Sequence, residues 1–385
     1  MSWRIYLIAL AQFLGTSLWF SANGVADALM ASWGIDAAGI GRLTSAVQLG
    51  FISGTFLMAF SGLADRYAAS RIFFVSALVG ALANLAFALA SDAWWLALSW
   101  RFITGLALAG IYPLGMKLVV TWAPERMGQV LGWLVGMLVL GTSAPHLIRA
   151  LDVFSDWQAV VMTASVLATL AGVLVLLIGD GPHHPSSGRF DWRAVQKAFG
   201  TAAFRRSASG YFGHMWEVYT AWTLAPLLLA MQFPDLASHE VSWLAFAFIA
   251  MGALSCVIGG QLSARLGSGR VAWTTLLGSG LCCLVLPLSL DLPAIVFLVL
   301  MLAWGFTVAP DSPQFSAMSA AAAPQGTVGS ALAVMNGIGF FLSVISIEIM
   351  TALWPELGIQ VLWLIAPGPA LGLWLFLRQR RAHAF

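Results

Sequence analysis

The sequence predicts an all-α membrane protein, with twelve transmembrane helices in two six-helix bundles related by an internal repeat. Three observations carry this. The 385 residues are 60% hydrophobic and only 9% charged, with a mean hydropathy of +0.88. That is more apolar surface than the polar residues could cover in water. At about 20 residues per crossing, the chain has room for roughly twelve spans and little else. Residues 61–71 read SGLADRYAASR and residues 260–270 read GQLSARLGSGR. A short basic loop thus returns after 199 residues, with Leu63, Arg66 and Arg71 matched by Leu262, Arg265 and Arg270. Lastly, with twelve crossings, 15 of the 18 lysines and arginines fall on the side of the N-terminus, with Arg42 and Arg149 opposite and Arg101 inside a span. Positive charge marks the cytoplasmic side, which places both termini there.

The spans follow in order from apolar runs and breakers. Span 1 (5–30) starts after Arg4. Its Ala26-Asp27-Ala28 stretch imitates a cleavage site, but the run is too long for a signal peptide and has a counterpart in span 7. Asp36 precedes span 2 (40–63), and the first basic loop precedes span 3 (72–91). Ser91-Asp92, Glu125-Arg126 and Asp152 introduce spans 4 (94–120), 5 (127–149) and 6 (157–179). Residues 180–206 are the one long polar stretch, a cytoplasmic linker with a short surface helix at 191–199. Span 7 (207–232) follows, then Pro234-Asp235 and span 8 (241–264). The second basic loop leads to span 9 (271–290), and Asp291-Leu292-Pro293 opens span 10 (293–318). Spans 11 (326–350) and 12 (357–377) are separated by Trp354-Pro355-Glu356. The units are therefore 1–179, 180–206 and 207–385.

The repeat reaches beyond the loops. Ala109, Pro113, Ala123 and Pro124 recur 200 residues on as Ala309, Pro313, Ala323 and Pro324. On span 1, Gln12, Thr16, Trp19 and Asn23 share one helix face. Near an offset of 197, Ser209, Gly213, Trp216 and Thr220 repeat that spacing. Cys256, Cys282 and Cys283 all lie within spans, so no disulfide framework is implied. His183 and His184 have no further ligands nearby and read as solvated linker. Neither a metal site nor a cofactor motif is present, and no phosphate-binding G-x-x-x-x-G-K-[ST] loop occurs.

The loop at 61–71 resembles the G-x-L-x-D-R-x-G-R-K loop between spans 2 and 3 of the major facilitator superfamily. Leu63, Asp65 and Arg66 match, Ser61 and Ala68 stand for the two glycines, and the basic pair is thinned to Arg71. Arg101-Phe102-Ile103-Thr104-Gly105 is similar to the family's R-x-x-Q-G on span 4, with Thr104 for Gln. The resemblance covers essentially the whole chain. It implies a multi-pass inner-membrane secondary transporter, usually monomeric, whose two bundles rock around a central site. Span 5 has Gly132, Gly136, Gly141 and Ala144-Pro145-His146 in place of the G-P-x-x-G-G of proton-coupled exporters, which tilts the reading toward uptake. Residues 110–117 and 311–315 resemble bacterial members of the nitrate, nitrite or cyanate carrier kind. True nitrate carriers place an arginine mid-span in spans 2 and 8. Here Arg42 and Arg265 sit at span edges, so nitrate specificity does not follow.

Ionisable groups at lipid depth are costly and mark functional sites by default. Arg101 lies about 10 Å below the outer end of span 4, at 1.5 Å per residue. Its planar fork suits an anion anchor or a coupling charge; the competing reading is a brace on helix carbonyls. Glu217 sits near the midplane of span 7 with His214 one turn away, a pairing suited to carrying a proton or to tying helices together. Asp311, between Pro310 and Pro313, marks irregular backbone that lines a cavity or a gate, or caps a broken helix. Asn336 reaches the same depth from span 11. Trp19, Asn23, Trp216, Tyr112, Tyr211 and Trp304 would wall the cavity. Trp3, Trp94, Trp95, Trp354 and Trp374 read as interfacial anchors. In the loops, Asp65, Arg66, Arg71, Arg265 and Arg270 form a gating latch that pairs in one state and releases in the other, asymmetric because Ala264 replaces the second aspartate.

The functional expectation is proton-coupled uptake of a small anionic or zwitterionic metabolite, with Arg101 near the substrate and Glu217–His214 as the proton group. The alternative is proton-coupled efflux of amphipathic or drug-like compounds. An enzyme would need nucleophiles, metal ligands or paired carboxylates clustered at one depth, and none is visible. The net charge of +2 orients the chain in the bilayer and says nothing of nucleic acid.

Overall fold

The computed structural model describes residues 3–89, 93–122, 127–154, 156–183, 190–324 and 327–381. Ser91-Asp92, Ala123-Pro124, Glu125-Arg126, His184 and Arg189 lie outside the described residues, as do the side chains of Asp65, Arg380 and Arg381. Every regular element among the described residues is helical.

Span 1 is interrupted: Trp3–Thr16 gives way to turns, a 3-10 turn at Asn23–Val25, and then Ala26–Trp33. Spans 2 and 3 are Ala37–Ser61 and Ala69–Leu89, span 4 is Trp94–Leu108 with Tyr112–Trp122, and spans 5 and 6 are Met127–Ala150 and Trp157–Ile178. The linker carries the helix Trp192–Gly200. Spans 7, 8 and 9 are Ala202–Gln232, Ser238–Leu266 and Ser268–Val285. Span 10 is Ala294–Thr307 with Asp311–Ala322, span 11 is Val328–Leu357, and span 12 is Leu362–Ile365 with Pro367–Arg381.

Eight helical runs among the described residues are long and apolar enough to cross a membrane, the last being Val328–Arg378 with 51 residues. Such a run would stretch about 76 Å at 1.5 Å per residue, so it crosses twice, folding back at Gly358 with φ of 53°. The interrupted span 1, span 5 and the polar, aromatic span 7 complete the twelve. Leu82, Trp95, Val153 and Leu177 are among many large apolar side chains facing outward, a surface suited to lipid and not to water. Trp3, Trp95 and Trp374 are exposed as interfacial anchors should be, whereas Trp94 and Trp354 are half-buried.

Local chemistry sets the ends. Asp36 caps span 2 by accepting from the Gly39 N–H at 2.9 Å. Asp191 caps the linker helix through Arg193 N–H. The helix of span 7 starts at Ala202, five residues before the expected 207, so Arg205 and Arg206 lie within its first turns. The reason is visible in Arg205, whose guanidinium donates to the Phe199 and Gly200 carbonyls at 2.8 and 2.7 Å. A cation closing the end of one helix thereby becomes the first turn of the next.

The repeat is written in the packing. A Cβ on Gly105 of span 4 would collide with the Val47 carbonyl of span 2, and one on Gly305 of span 10 would collide with the Phe248 carbonyl of span 8. Backbones can touch there only because both positions are glycine. Spans 4 and 10 also break at matching places, 109–111 and 308–310. Pro113 and the Pro310/Pro313 pair lack the N–H needed to continue the ladder. The broken stretch of span 1 contains no proline. Ser17 and Ser21 turn their hydroxyls onto the Leu14 and Leu18 carbonyls, which bends a helix.

Candidate functional site

A cavity of about 730 Å³ lies between spans 4, 5, 7, 8, 10 and 11. It reaches the linker end of the bundle, where Gln261 and Ala264 line it and are exposed. Span 7 supplies one wall with Tyr211, His214, Met215, Val218, Tyr219 and Trp222. These fall at helical spacing on one face. Tyr112, Asn336 and Gln314 face them from spans 4, 11 and 10.

The far end is closed by stacked rings. Trp19 lies 4.8 Å from Phe51, 5.7 Å from Tyr219 and 5.8 Å from Phe340, centroid to centroid. Phe51 and Phe340 are 4.5 Å apart, and Tyr219 meets Trp222 at 5.2 Å. Spans 1 and 2 contribute one side of this layer and spans 7 and 11 the other. The cavity is therefore open toward the linker and shut on the opposite side.

Behind the walls sit two separate polar clusters. Arg101 is fully buried: one Nη donates to the Leu18 carbonyl, Ser21 Oγ and Asn84 Oδ1 at 3.2, 2.9 and 3.0 Å, and the other to the Trp19 carbonyl at 2.7 Å. Asn84 in turn donates to the Val161 carbonyl and Ser165 of span 6. Arg101 thus bonds the broken stretch of span 1 and does not line the cavity. The break exposes two carbonyls, and a planar five-donor group satisfies them better than any ligand reaching past span 1.

Glu217 is equally buried but points to spans 9 and 10. Its Oε1 accepts from Trp304 Nε1 at 2.7 Å and from Cys283 Sγ at 3.3 Å, while Oε2 accepts from Ser279 Oγ at 2.8 Å. The expected Glu217–His214 pair does not form. One turn apart on the same helix, each finds its partner on another span. His214 Nδ1 lies 2.8 Å from Asp311 Oδ1, an ion-pair distance without hydrogen-bond geometry. Asp311 is fully buried with neither carboxylate oxygen hydrogen-bonded. A carboxyl that buried and under-satisfied marks a working site more often than a scaffold.

Of the residues expected at the site, Tyr112, His214 and Asn336 line the cavity, and Tyr211 joins them. Trp19 belongs to the ring layer, while Trp304 serves Glu217. Asn23 lies beyond the layer, donating to Thr44 at 3.0 Å. Trp216 faces away: its Nε1 donates to the Leu364 carbonyl of span 12. Sequence reasoning passed over Tyr219, Trp222 and Phe340, although their positions at helical spacing from Tyr211 and Asn336 carried the signal. It also passed over Asp180, whose carboxylate accepts from the Ala69 and Ser70 N–H groups at 2.8 Å each, beside Arg66 and Arg71. Arg66, Arg71, Arg265 and Arg270 are exposed at the linker ends of their spans.

A model of the Major Facilitator Superfamily matches residues 8–347. The chain belongs to that superfamily. Within it, the chain is 29% identical over 181 residues to the 4-hydroxybenzoate transporter PcaK of Pseudomonas aeruginosa, covering 45% of this chain and 39% of that one. To the niacin transporter NiaP of Acinetobacter baylyi it is 28% identical over 213 residues, 49% and 46% of the two chains. Both matches span less than half of the relative's length. The A. baylyi PcaK is 25% identical over 401 residues, covering 93% and 87%. Among solved structures, the proton:xylose symporter XylE superposes with a TM-score of 0.74 over 97% of this chain and 95% of its own, at 12% identity, which shows a shared fold alone. The protein is thus a multi-pass membrane member of the superfamily.

Proposed function

We propose that the chain carries a small aromatic acid inward together with protons, as a monomer in the bacterial inner membrane with both termini cytoplasmic. One observation supports this most: a cavity walled by Tyr112, Tyr211, Tyr219, Trp222 and Phe340 holds, among the described residues of its lining, one side chain able to carry a positive charge, His214, backed by buried Asp311. Ring stacking is worth about 0.5–1.5 kcal/mol per aromatic pair, which favours a flat substrate. A protonated His214 is the group able to meet a carboxylate. The relatives named for 4-hydroxybenzoate and niacin transport fit the same ligand chemistry.

In this reading the linker-side opening is the cytoplasmic exit. Residues 1–179 and 207–385 move as units about the linker at 180–206. The ring layer of Trp19, Phe51, Tyr219 and Phe340 parts when the cavity turns outward, and the basic loops, with Asp65 and Asp180 among their acids, latch the cytoplasmic ends. Glu217, held by three donors, exchanges its proton with water that reaches it as the bundles move.

The test is uptake of radiolabelled 4-hydroxybenzoate and nicotinate into proteoliposomes with an imposed inward proton gradient. Accumulation above equilibrium that a protonophore collapses is expected. Failure to accumulate either acid, in vesicles shown to hold folded protein, refutes the reading.

A further inference from the structure

On the other side of the ring layer, at the end opposite the linker, lies a second cavity of about 150 Å³. It too crosses the boundary between the two halves. Asn23, Asp27, Met30 and His146 line it from one side; Leu227, Phe233 and Val241 do so from the other. The volume is about that which holds a single benzene ring.

The polar groups facing this space are unevenly satisfied. His146 is 1% exposed, and its Nε2 has no hydrogen-bond partner. One turn further along span 5, outside the lining, Arg149 pairs with Asp27 at 3.6 Å. Asp27, the one acid on the described lining, is thus already paired, and His146 Nε2 is left free to donate as its N–H tautomer. An unmet buried donor costs free energy, so the site favours a ligand that brings an acceptor. The position of His146 is also fixed: a Cβ on Gly24 would run into Pro145 and the His146 backbone at 2.6–3.1 Å, so the break in span 1 is seated directly against span 5.

We propose that this outer cavity is a second binding site, a capture site for an aromatic carboxylic acid before it reaches the central cavity. The ring sits among Met30, Leu227, Phe233 and Val241, and the carboxyl group meets His146 Nε2. The ligand class rests on the function proposed above; the site itself does not.

Equilibrium dialysis of radiolabelled 4-hydroxybenzoate against the detergent-purified full chain tests both. Four proteins are compared: parent, His146→Leu, His146→Gln, and Ser312→Trp, which fills the central cavity. Two sites per parent chain are expected. Ser312→Trp retains the outer one, and His146→Leu weakens it about tenfold, the scale of a hydrogen bond to a charged group. His146→Gln, which keeps an N–H donor, stays close to the parent. A single site unmoved by His146→Leu overturns the outer site and leaves the central reading standing. A single site lost in His146→Leu but kept in Ser312→Trp overturns the central reading instead. No binding in any of the four overturns both.

Discussion

The same three spans of each half build a buried polar cluster, one around an arginine and the other around a glutamate. In the first half Arg101 on span 4 meets Asn84 on span 3 and Ser21 with two carbonyls on span 1. In the second, Glu217 on span 7 meets Ser279 and Cys283 on span 9 and Trp304 on span 10. The positions nearly superimpose along the repeat: Ser21 and Glu217 are 196 residues apart, Asn84 and Cys283 199. A guanidinium keeps its charge at any depth, and this one is spent on a broken backbone. A carboxyl can change protonation, and this one is held only by side chains. Duplication thus left one unit with a guanidinium bonded to backbone and the other, in the function proposed here, with a proton switch. Asp311 and His214, also in the second half, extend the asymmetry.

The largest effect should come from breaking the brace. Arg101→Lys replaces a fork by a point charge that cannot reach Leu18, Trp19, Ser21 and Asn84 together, leaving buried carbonyls without donors. A loss of about 3–5 kcal/mol is expected from the cost of unmet buried groups, read as a lower unfolding temperature in detergent and poor recovery of folded protein. A variant with unchanged unfolding but failed uptake would return Arg101 to the role of coupling charge and end its description as a brace.

Next comes the switch. Glu217→Gln keeps the shape, and its amide can still accept from Trp304 and donate to Ser279, so folding should change by less than about 1 kcal/mol. Gradient-driven uptake should fall by about tenfold or more, equivalent to roughly 1.4 kcal/mol in the barrier, while substrate exchange across the vesicle wall continues. Equal loss of driven uptake and exchange would mean that Glu217 supports the cavity and does not carry the proton.

The fold was legible in the sequence because lipid imposes it: apolar runs of fixed length, basic loops on one side and prolines 200 residues apart leave few alternatives. The linker helix was legible as well. The site was less so. Arg101, Glu217, His214 and Asp311 stand out as charges at lipid depth, but which partner each takes depends on rotations of one helix against another. His214 and Glu217 look paired on their own helix and are claimed by Asp311 and Trp304 on span 10. The break in span 1 was hidden too, since two serines and a glycine in an apolar run do not announce that Arg101 will satisfy the carbonyls they free.

The smallest expected effect tests that point directly. Matching span 1 to span 7 at an offset of 197 pairs Trp19 with Trp216, whereas the polar clusters align Ser21 with Glu217 at 196. A one-residue slip turns a helical side chain by about 100°. At 196 the partner of Trp19 is Met215, which does line the cavity. Trp216 instead packs on Gly368 and bonds the Leu364 carbonyl of span 12. Trp216→Phe should therefore leave uptake within about twofold of the parent and cost only the one hydrogen bond, about 0.5–1.5 kcal/mol. Trp19→Ala, which opens the ring layer, should instead let solute leak through the closed side. If Trp216→Phe matched it in transport, the 197 register would be right and the polar clusters would align by coincidence.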